Sequence, residues 1–270
     1  MHVVTLSFDD GFERSSRRTA EIFERHGLVA ELNVVAAGHL GEPLEAWHSQ
    51  WPKGDFALWN ELKARGHHVM PHGYRHANKA ELPLHEAQRL IERCLDAFAA
   101  ELDGFEAPRT SFAFPYNRST PALEAWLGGR VRAFRTGGDP VMPLPRPGQQ
   151  RVTCVTFGPE RCDEHLVRTV ESFLAGPPGW LCYNLHGLDD EGWGPVGGDT
   201  LDRLLERLVA RSVEVLPITA ALDLAEGGTP RRAQASELVG EIPGTQIARF
   251  EAYEEVVVGP LGVCGSGLVA

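Results

Sequence analysis

Val3-Val4-Thr5-Leu6-Ser7-Phe8-Asp9-Asp10-Gly11 is an apolar run that stops at two adjacent carboxylates and a glycine. A short run of this kind, closed by a turn residue, reads as a buried strand of a parallel sheet. Two like charges so close together resist joint burial unless a cation neutralises one of them. One reading is that the aspartates cap the helix that follows, a position Asp favours. The other is that the turn at Gly11 aims both carboxylates into one cavity, where one binds a metal and its neighbour stays uncoordinated as a base. Such a pairing supplies the parts needed to hydrolyse an unactivated amide or ester.

The rest of the chain supports the strand. Glu13 to His26 is predicted helical, with Ile22 and Phe23 inward and Gly27 as a stop. Leu28 to Ala36 reads as a second strand, Asp55 to Gly66 as a helix, and His67 to Met70 as a third strand. Leu84 to Leu102 is a long helix, with Ala87, Leu90, Ile91, Leu95 and Phe98 at helical spacing. Strands follow at Ser111–Phe114, Val131–Arg135, Val152–Phe157 and Trp180–His186, with helices at Pro121–Leu127, Glu164–Leu174 and Thr200–Arg211. Val213 to Leu216 and a helix through Leu224 complete the pattern. Alternation of this kind implies an α/β fold with a parallel sheet. The strand count is near that of a closed β/α barrel, and a doubly wound open sheet is the competing architecture. Residues 1–226 are expected to form the barrel domain. From Gly227 the texture changes to a linker-like Gly-Gly-Thr-Pro-Arg-Arg, so 227–270 reads as a C-terminal extension.

His72-Gly73-Tyr74-Arg75-His76 is the second chemical signal. Histidines four apart share one face if the segment is helical, an arrangement suited to a divalent metal. Two surface histidines are the simpler reading, with His67, His68 and His85 close by in the sequence. A zincin helix is excluded, because Gly73 stands where that motif needs Glu. Phe112-Ala113-Phe114-Pro115-Tyr116-Asn117 ends the fourth strand, where a backbone N–H could face a developing oxyanion. Tyr183-Asn184-Leu185-His186-Gly187 ends the seventh, where a histidine could protonate a leaving amine. Taken singly, each has an ordinary structural explanation. Together, Asp9, Asp10, His72, Tyr116 and His186 all fall at or just past strand C-termini, which converge on one rim of a β/α barrel.

Composition narrows the class. The 270 residues are 43% hydrophobic and carry a formal net charge of -11, which disfavours a nucleic-acid partner. No run of about 18 or more apolar residues is present, so no membrane span is expected. Met1-His2 leads straight into the first strand without a charged and apolar leader, and the five cysteines show no Cys-x-x-Cys pair. A cytoplasmic protein with reduced thiols is the expectation. The oligomeric state is not indicated.

These motifs resemble those of the polysaccharide deacetylases of carbohydrate esterase family four, which include chitin, peptidoglycan and nodulation-factor deacetylases. Ser7 to Gly11 matches the first family motif. His72 to His76 matches the second, with Gly73 where Ser or Thr is usual. Phe112 to Asn117 matches the third in a form lacking arginine, and Leu185-His186 matches the last. The resemblance spans roughly residues 3 to 224 and implies a distorted, incomplete β/α barrel of about seven parallel strands. It implies that Asp10, His72 and His76 hold a divalent metal, zinc first, with cobalt, nickel, iron or manganese as alternatives. It implies Asp9 as the base, the Tyr116 N–H at the oxyanion and His186 as the general acid. Many relatives carry an arginine where Ala113 stands, contacting the catalytic carboxylate. Many also carry an Asp-x-x-Asp-Trp segment, and here Arg135 to Pro140 lies in that region without a tryptophan; Arg146 and Asp139 are the stand-ins to consider.

The activity so implied is N-deacetylation of an amino sugar: an oligosaccharide, a lipid- or nucleotide-linked sugar, or a glycosylated small molecule. Pro115 at the turn, Trp193 in the acidic loop after His186, and Trp47 in the long connection from Gly38 to Gly54 are the expected substrate contacts. The alternatives are a metal-dependent hydrolase of a non-glycan amide, such as a ureide or cyclic imide, and a catalytically silent binding barrel.

Overall fold

The computed structural model describes residues 1–40 and 50–228. Among these, nine strands form one sheet whose hydrogen-bonded path runs β3-β2-β1-β8-β7-β5-β4. The strands are β1 (His2–Phe8), β2 (Glu31–Val34), β3 (His68–Pro71), β4 (Ser111–Ala113), β5 (Ala133–Gly137), β6 (Val141–Met142), β7 (Arg151–Thr156), β8 (Gly179–Leu185) and β9 (Glu214–Val215). Every pair along the path is parallel. The helices between them are α1 (Glu13–Arg25), α2 (Phe56–Ala64), α3 (Leu84–Glu101), α4 (Pro121–Gly128), α5 (Cys162–Leu174), α6 (Gly198–Ala210) and α7 (Ile218–Ala225). The seven strands of the path make the nearly closed, incomplete β/α barrel that the sequence implies, in place of the open-sheet alternative.

The barrel is closed unevenly. The N-terminal half of β1 pairs with β9 at Val3 and Val4, and its C-terminal half pairs with β2 at Ser7 and Phe8. On the other side β8 meets antiparallel β6 at Trp180 and Leu181, then parallel β7 at Tyr183 and Asn184. Among the described residues no strand ladder joins β3 to β4. They meet through side chains: Thr110 Oγ1 lies 2.8 Å from Met70 Sδ, and His72 Nδ1 lies 2.9 Å from the Ala113 carbonyl oxygen.

Side-chain alternation explains the layering. In β1, Val4, Leu6 and Phe8 pack into the large core shared with the helices, together with Leu32, Val34, Phe134, Leu181, Tyr183 and Leu185. The intervening positions face the other way. At the lower end they make an apolar floor of Val3, Ala133, Val152, Trp180 and Cys182, sealed by Leu216, Ile218 and Leu222 around α7. Above it come the buried polar residues Thr5, Ser7, Glu31, Asn33, Arg135 and Asn184. The interior thus turns from apolar to polar toward the strand C-termini.

Helix ends follow local chemistry. α1 stops where Gly27, at φ +67°, lets Leu28 N–H bond Phe23 O and Gly27 N–H bond Glu24 O. α2 begins at Asp55, whose side chain accepts from Leu58 N at 3.0 Å. The N-cap of α1 is Phe12, so Asp9 and Asp10 are not its caps. The proposed extension lies, apart from Gly227 and Gly228, outside the described residues.

Candidate active site and metal centre

Asp9 and Asp10 follow β1 directly. Asp10 takes the left-handed conformation, φ +76°, and Gly11 follows at φ +69°. Two successive positive φ values bend the chain so that both carboxylates are buried at the top of the barrel, Asp9 to 4% and Asp10 to 1% exposure. Asp tolerates this conformation better than most residues. A Cβ at Gly11 would lie 3.0 Å from Trp59 and 3.1 Å from Val34, so residue 11 is also packed closely.

His72 and His76 reach the same place by an unexpected route. The segment from His72 to His76 is a loop rather than a helix, with Gly73 at φ +94°. The spacing of four therefore brings the rings together through a turn, correcting the one-face reading. His72 Nε2 lies 3.6 Å and His76 Nε2 3.5 Å from Asp10 Oδ1. One ligand atom from each of Asp10, His72 and His76 falls within 4.8 Å of the others. These separations are too long for good hydrogen bonds. They are close to the roughly 3.4 Å that separates neighbouring ligands on a tetrahedral zinc with ~2.1 Å bonds. His72 Nδ1 donates to the Ala113 carbonyl, which leaves the Nε2 lone pair facing Asp10. Burial holds His72 down at about 4, against the pull of Asp9, so the ring is neutral, as a ligand must be. Burial likewise pushes the Asp10 carboxyl up, aided by Asp9, a penalty that a cation would remove. The donor set fits a divalent metal.

Asp9 is held differently. Its Oδ1 accepts from Asn33 Nδ2 at 3.0 Å and its Oδ2 from Arg135 Nη2 at 2.5 Å. Ser7 Oγ accepts from both the Asn33 amide and Arg135 Nη1, at 2.7 and 2.6 Å, and locks the two donors to each other. Burial works to raise Asp9, but the Arg135 guanidinium and His72 outweigh it and hold the carboxyl at about 2. Arg135 itself is fully buried. It arises from β5 at the position paired with Ala113 of β4. The family's arginine at that point is therefore replaced from the neighbouring strand. Neither stand-in considered from sequence fills the role: Arg146 is exposed, and exposed Asp139 accepts from Val141 N at 3.0 Å.

The remaining expected residues line the same rim. Tyr116 sits at φ +60° in the turn that opens with buried Pro115; its half-exposed ring lies 4.6 Å from that of His76. His186 follows β8, half-buried, and burial lowers it to about 4, with Arg135 and Lys53 adding to the effect and Asp9 opposing it. The Trp193 ring stands edge-on to His186 at 5.0 Å and presses on Gly158, where a Cβ would lie 2.9 Å from it. The loop carrying both is pinned to α1: Ser15 N donates to Glu191 at 2.5 Å and Leu188 N to Ser15 Oγ at 3.0 Å. Trp47 falls outside the described residues. Trp51, from the same connection, packs edge-on against Phe12 at 5.6 Å.

Sequence reading missed Asn33 and Arg135 as partners of Asp9, and Lys53 near Asp10. Lys53 Nζ lies 3.2 Å from the centroid of the Phe12 ring. Burial pushes this ammonium down, while Asp10 and Glu191 pull it up. A polar side chain in a strand otherwise reading as buried was the available signal for Asn33 and Arg135. For Lys53, in a loop, there was none.

Residues 1–126 match the family model for polysaccharide deacetylase. No curated protein matches the chain. Among solved structures, the Xyl-CE4 domain of a multidomain xylanase from the hindgut metagenome of Trinervitermes trinervoides is 13% identical, with TM-score 0.57 over 85% of this chain and 93% of that one. The peptidoglycan deacetylase PdaC of Bacillus subtilis is 13% identical, with TM-score 0.56 over 84% and 92%. A family 4 acetyl xylan esterase of Clostridium thermocellum, solved with a cobalt ion, is 16% identical, with TM-score 0.56 over 82% and 91%. At these identities the structures speak for the fold. The family resemblance read from the motifs is supported over residues 1–126, which match the polysaccharide deacetylase model, and the barrel is the fold of these solved structures.

Proposed function

We propose that this protein is a metal-dependent N-deacetylase of an amino sugar carried on an oligosaccharide, a lipid, a nucleotide or another small molecule. The observation that carries the reading is the convergence of Asp10, His72 and His76 around one point, with Asp9 beside them on its own arginine. The cobalt ion in the similar acetyl xylan esterase supports a metal here. Zinc is the first choice for two imidazoles and a carboxylate. Bound at these ligands, it would polarise the acetyl carbonyl and make a water acidic at neutral pH.

The chain's own residues do the rest. Asp9, kept ionised by Arg135, accepts the proton of the attacking water. The Tyr116 backbone N–H faces the carbonyl oxygen as it gains charge. His186 delivers a proton to the departing amine. Burial keeps that ring neutral at rest, so the proton it delivers is one taken up during the turnover. Trp193 fixes His186 and, with Pro115 and Tyr116, borders the sugar. The described cysteines are free thiols, in keeping with a reducing, cytoplasmic setting.

The test is to assay acetate release from N-acetylated amino sugars by wild type and Asp9→Asn, each with metal content measured. Wild type should release acetate and lose the activity to a chelator, and Asp9→Asn should keep its metal and lose turnover. Ring-opened acid from a ureide or imide without acetate release would overturn the substrate class, and near-normal turnover by Asp9→Asn would overturn the assignment of the base.

A further inference from the structure

Lys79 has no part in this chemistry, yet it is buried to 1% exposure. An ammonium is expensive to bury and calls for a reason. It lies just past His76, below the loop that carries both histidines. Its Nζ points at the turn: a Cβ built on Gly73 would sit 2.5 Å from Nζ and 3.2 Å from Cε. The same Nζ reaches the Ala77 carbonyl at 3.4 Å and lies 5.9 Å from the centroid of the Phe112 ring. The absent side chain at residue 73 and the buried amine therefore fill one space between them.

The turn has further anchors above and beside the amine. Ala36 N donates to Gly73 O at 3.0 Å and Ala37 N to Tyr74 O at 2.9 Å, which tie it to the end of β2. On the lower side, the turn closes over the ammonium. Nothing in the hydrolytic steps requires a charge there, whereas the position of His72 relative to His76 depends on the path of residues 73 to 77.

We propose that Lys79 is a positioning residue for the metal centre: its ammonium fills the space left at Gly73 and ties down the His72–Ala77 turn, so that both imidazoles stay at ligand distance from Asp10. The inference rests on the reading of Asp10, His72 and His76 as metal ligands. Outer partners that hold ligands typically contribute about 10- to 100-fold in metal affinity.

The experiment is zinc binding by chelator competition, with apo-protein unfolding as the control for folding. Lys79→Met is one atom shorter and removes the donors; its zinc Kd should rise at least about tenfold while the apo protein still unfolds cooperatively. Lys79→Gln, of the same length as the methionine but with an N–H donor retained, should recover part of that loss. A Lys79→Met protein with a Kd within about twofold of wild type overturns the proposal, as does a Lys79→Gln protein no tighter than Lys79→Met. Should Lys79→Met fail to fold, Lys79→Leu is held to the same two thresholds. Failure of wild type to bind zinc would sink the metal reading itself, a result distinct from these.

Discussion

Arg135 brings a guanidinium into the barrel interior and sets it against Asp9 at 2.5 Å. A carboxyl so deeply buried would otherwise hold its proton. Replacing the arginine by methionine leaves burial in place and removes the opposing charge, so the Asp9 pKa should climb from about 2 to above its ordinary 3.8. Asp9 adds stability above its ordinary value that is lost as pH falls toward the folded-state value, and in Arg135→Met that contribution disappears. The acid limb of kcat/KM should move up by at least about one pH unit, and unfolding should become easier by about 3 kcal/mol or more. Arg135→Lys keeps the charge without the two-pronged fork and should fall between them. Profiles of rate against pH and denaturant midpoints check both. Nothing in one sequence could have shown that Arg135 stands beside Ala113, because that pairing is a cross-strand register. The anomaly of a charged side chain in a strand that reads as buried was legible; its partner was not.

Helix and strand boundaries came through well where hydrophobic period and end signals agree. Leu84 to Leu102 was expected and Leu84–Glu101 is found; Glu13 to His26 was expected and Glu13–Arg25 is found. Periodicity failed where it was asked to carry too little. Antiparallel β6 has two residues between prolines, too short for any pattern to register. The histidines four apart have two physical origins, a helical turn or a loop, and a glycine between them at φ +94° belongs to the second. The Asp55 cap gives a clean check on the helix logic. It lies at the start of α2 and its carboxylate bonds Leu58 N. Asp55→Ala should lower stability by about 1 kcal/mol in denaturant unfolding and leave kcat within about twofold of wild type.

The stacking of an apolar floor, a polar middle and a reactive rim makes the protein's stability depend on pH. Glu31 lies in the middle layer and accepts from Ile218 N at 2.6 Å. Burial pushes its carboxyl up to about 7 from 4.5, with that N–H and Arg135 opposing. The folded state therefore binds the proton more tightly than the unfolded chain. Stability should fall as pH rises from about 4.5 to 7 and level off above, a loss of about 3 kcal/mol at this one site. Glu31→Gln keeps an acceptor for Ile218 and cannot ionise, so denaturant melts across this range should show it gaining on wild type as pH rises.

The barrel wall has a gap between β3 and β4, and the side chain nearest the chemistry also bridges it, through His72 Nδ1 and the Ala113 carbonyl. On the proposed metal site, one imidazole would serve as both a ligand and a clasp. Fixing the ring on its Nε2 side should tighten the clasp on its Nδ1 side, so that zinc occupancy is felt as mechanical closure of the wall. Hydrogen exchange at Val69, Met70 and Ser111 to Ala113 should slow on zinc loading and quicken on chelation, while amides of β1 and β8, stitched together along their whole length, should hardly respond. Equal slowing of exchange in all four strands would mean that the gap and the metal centre are mechanically independent.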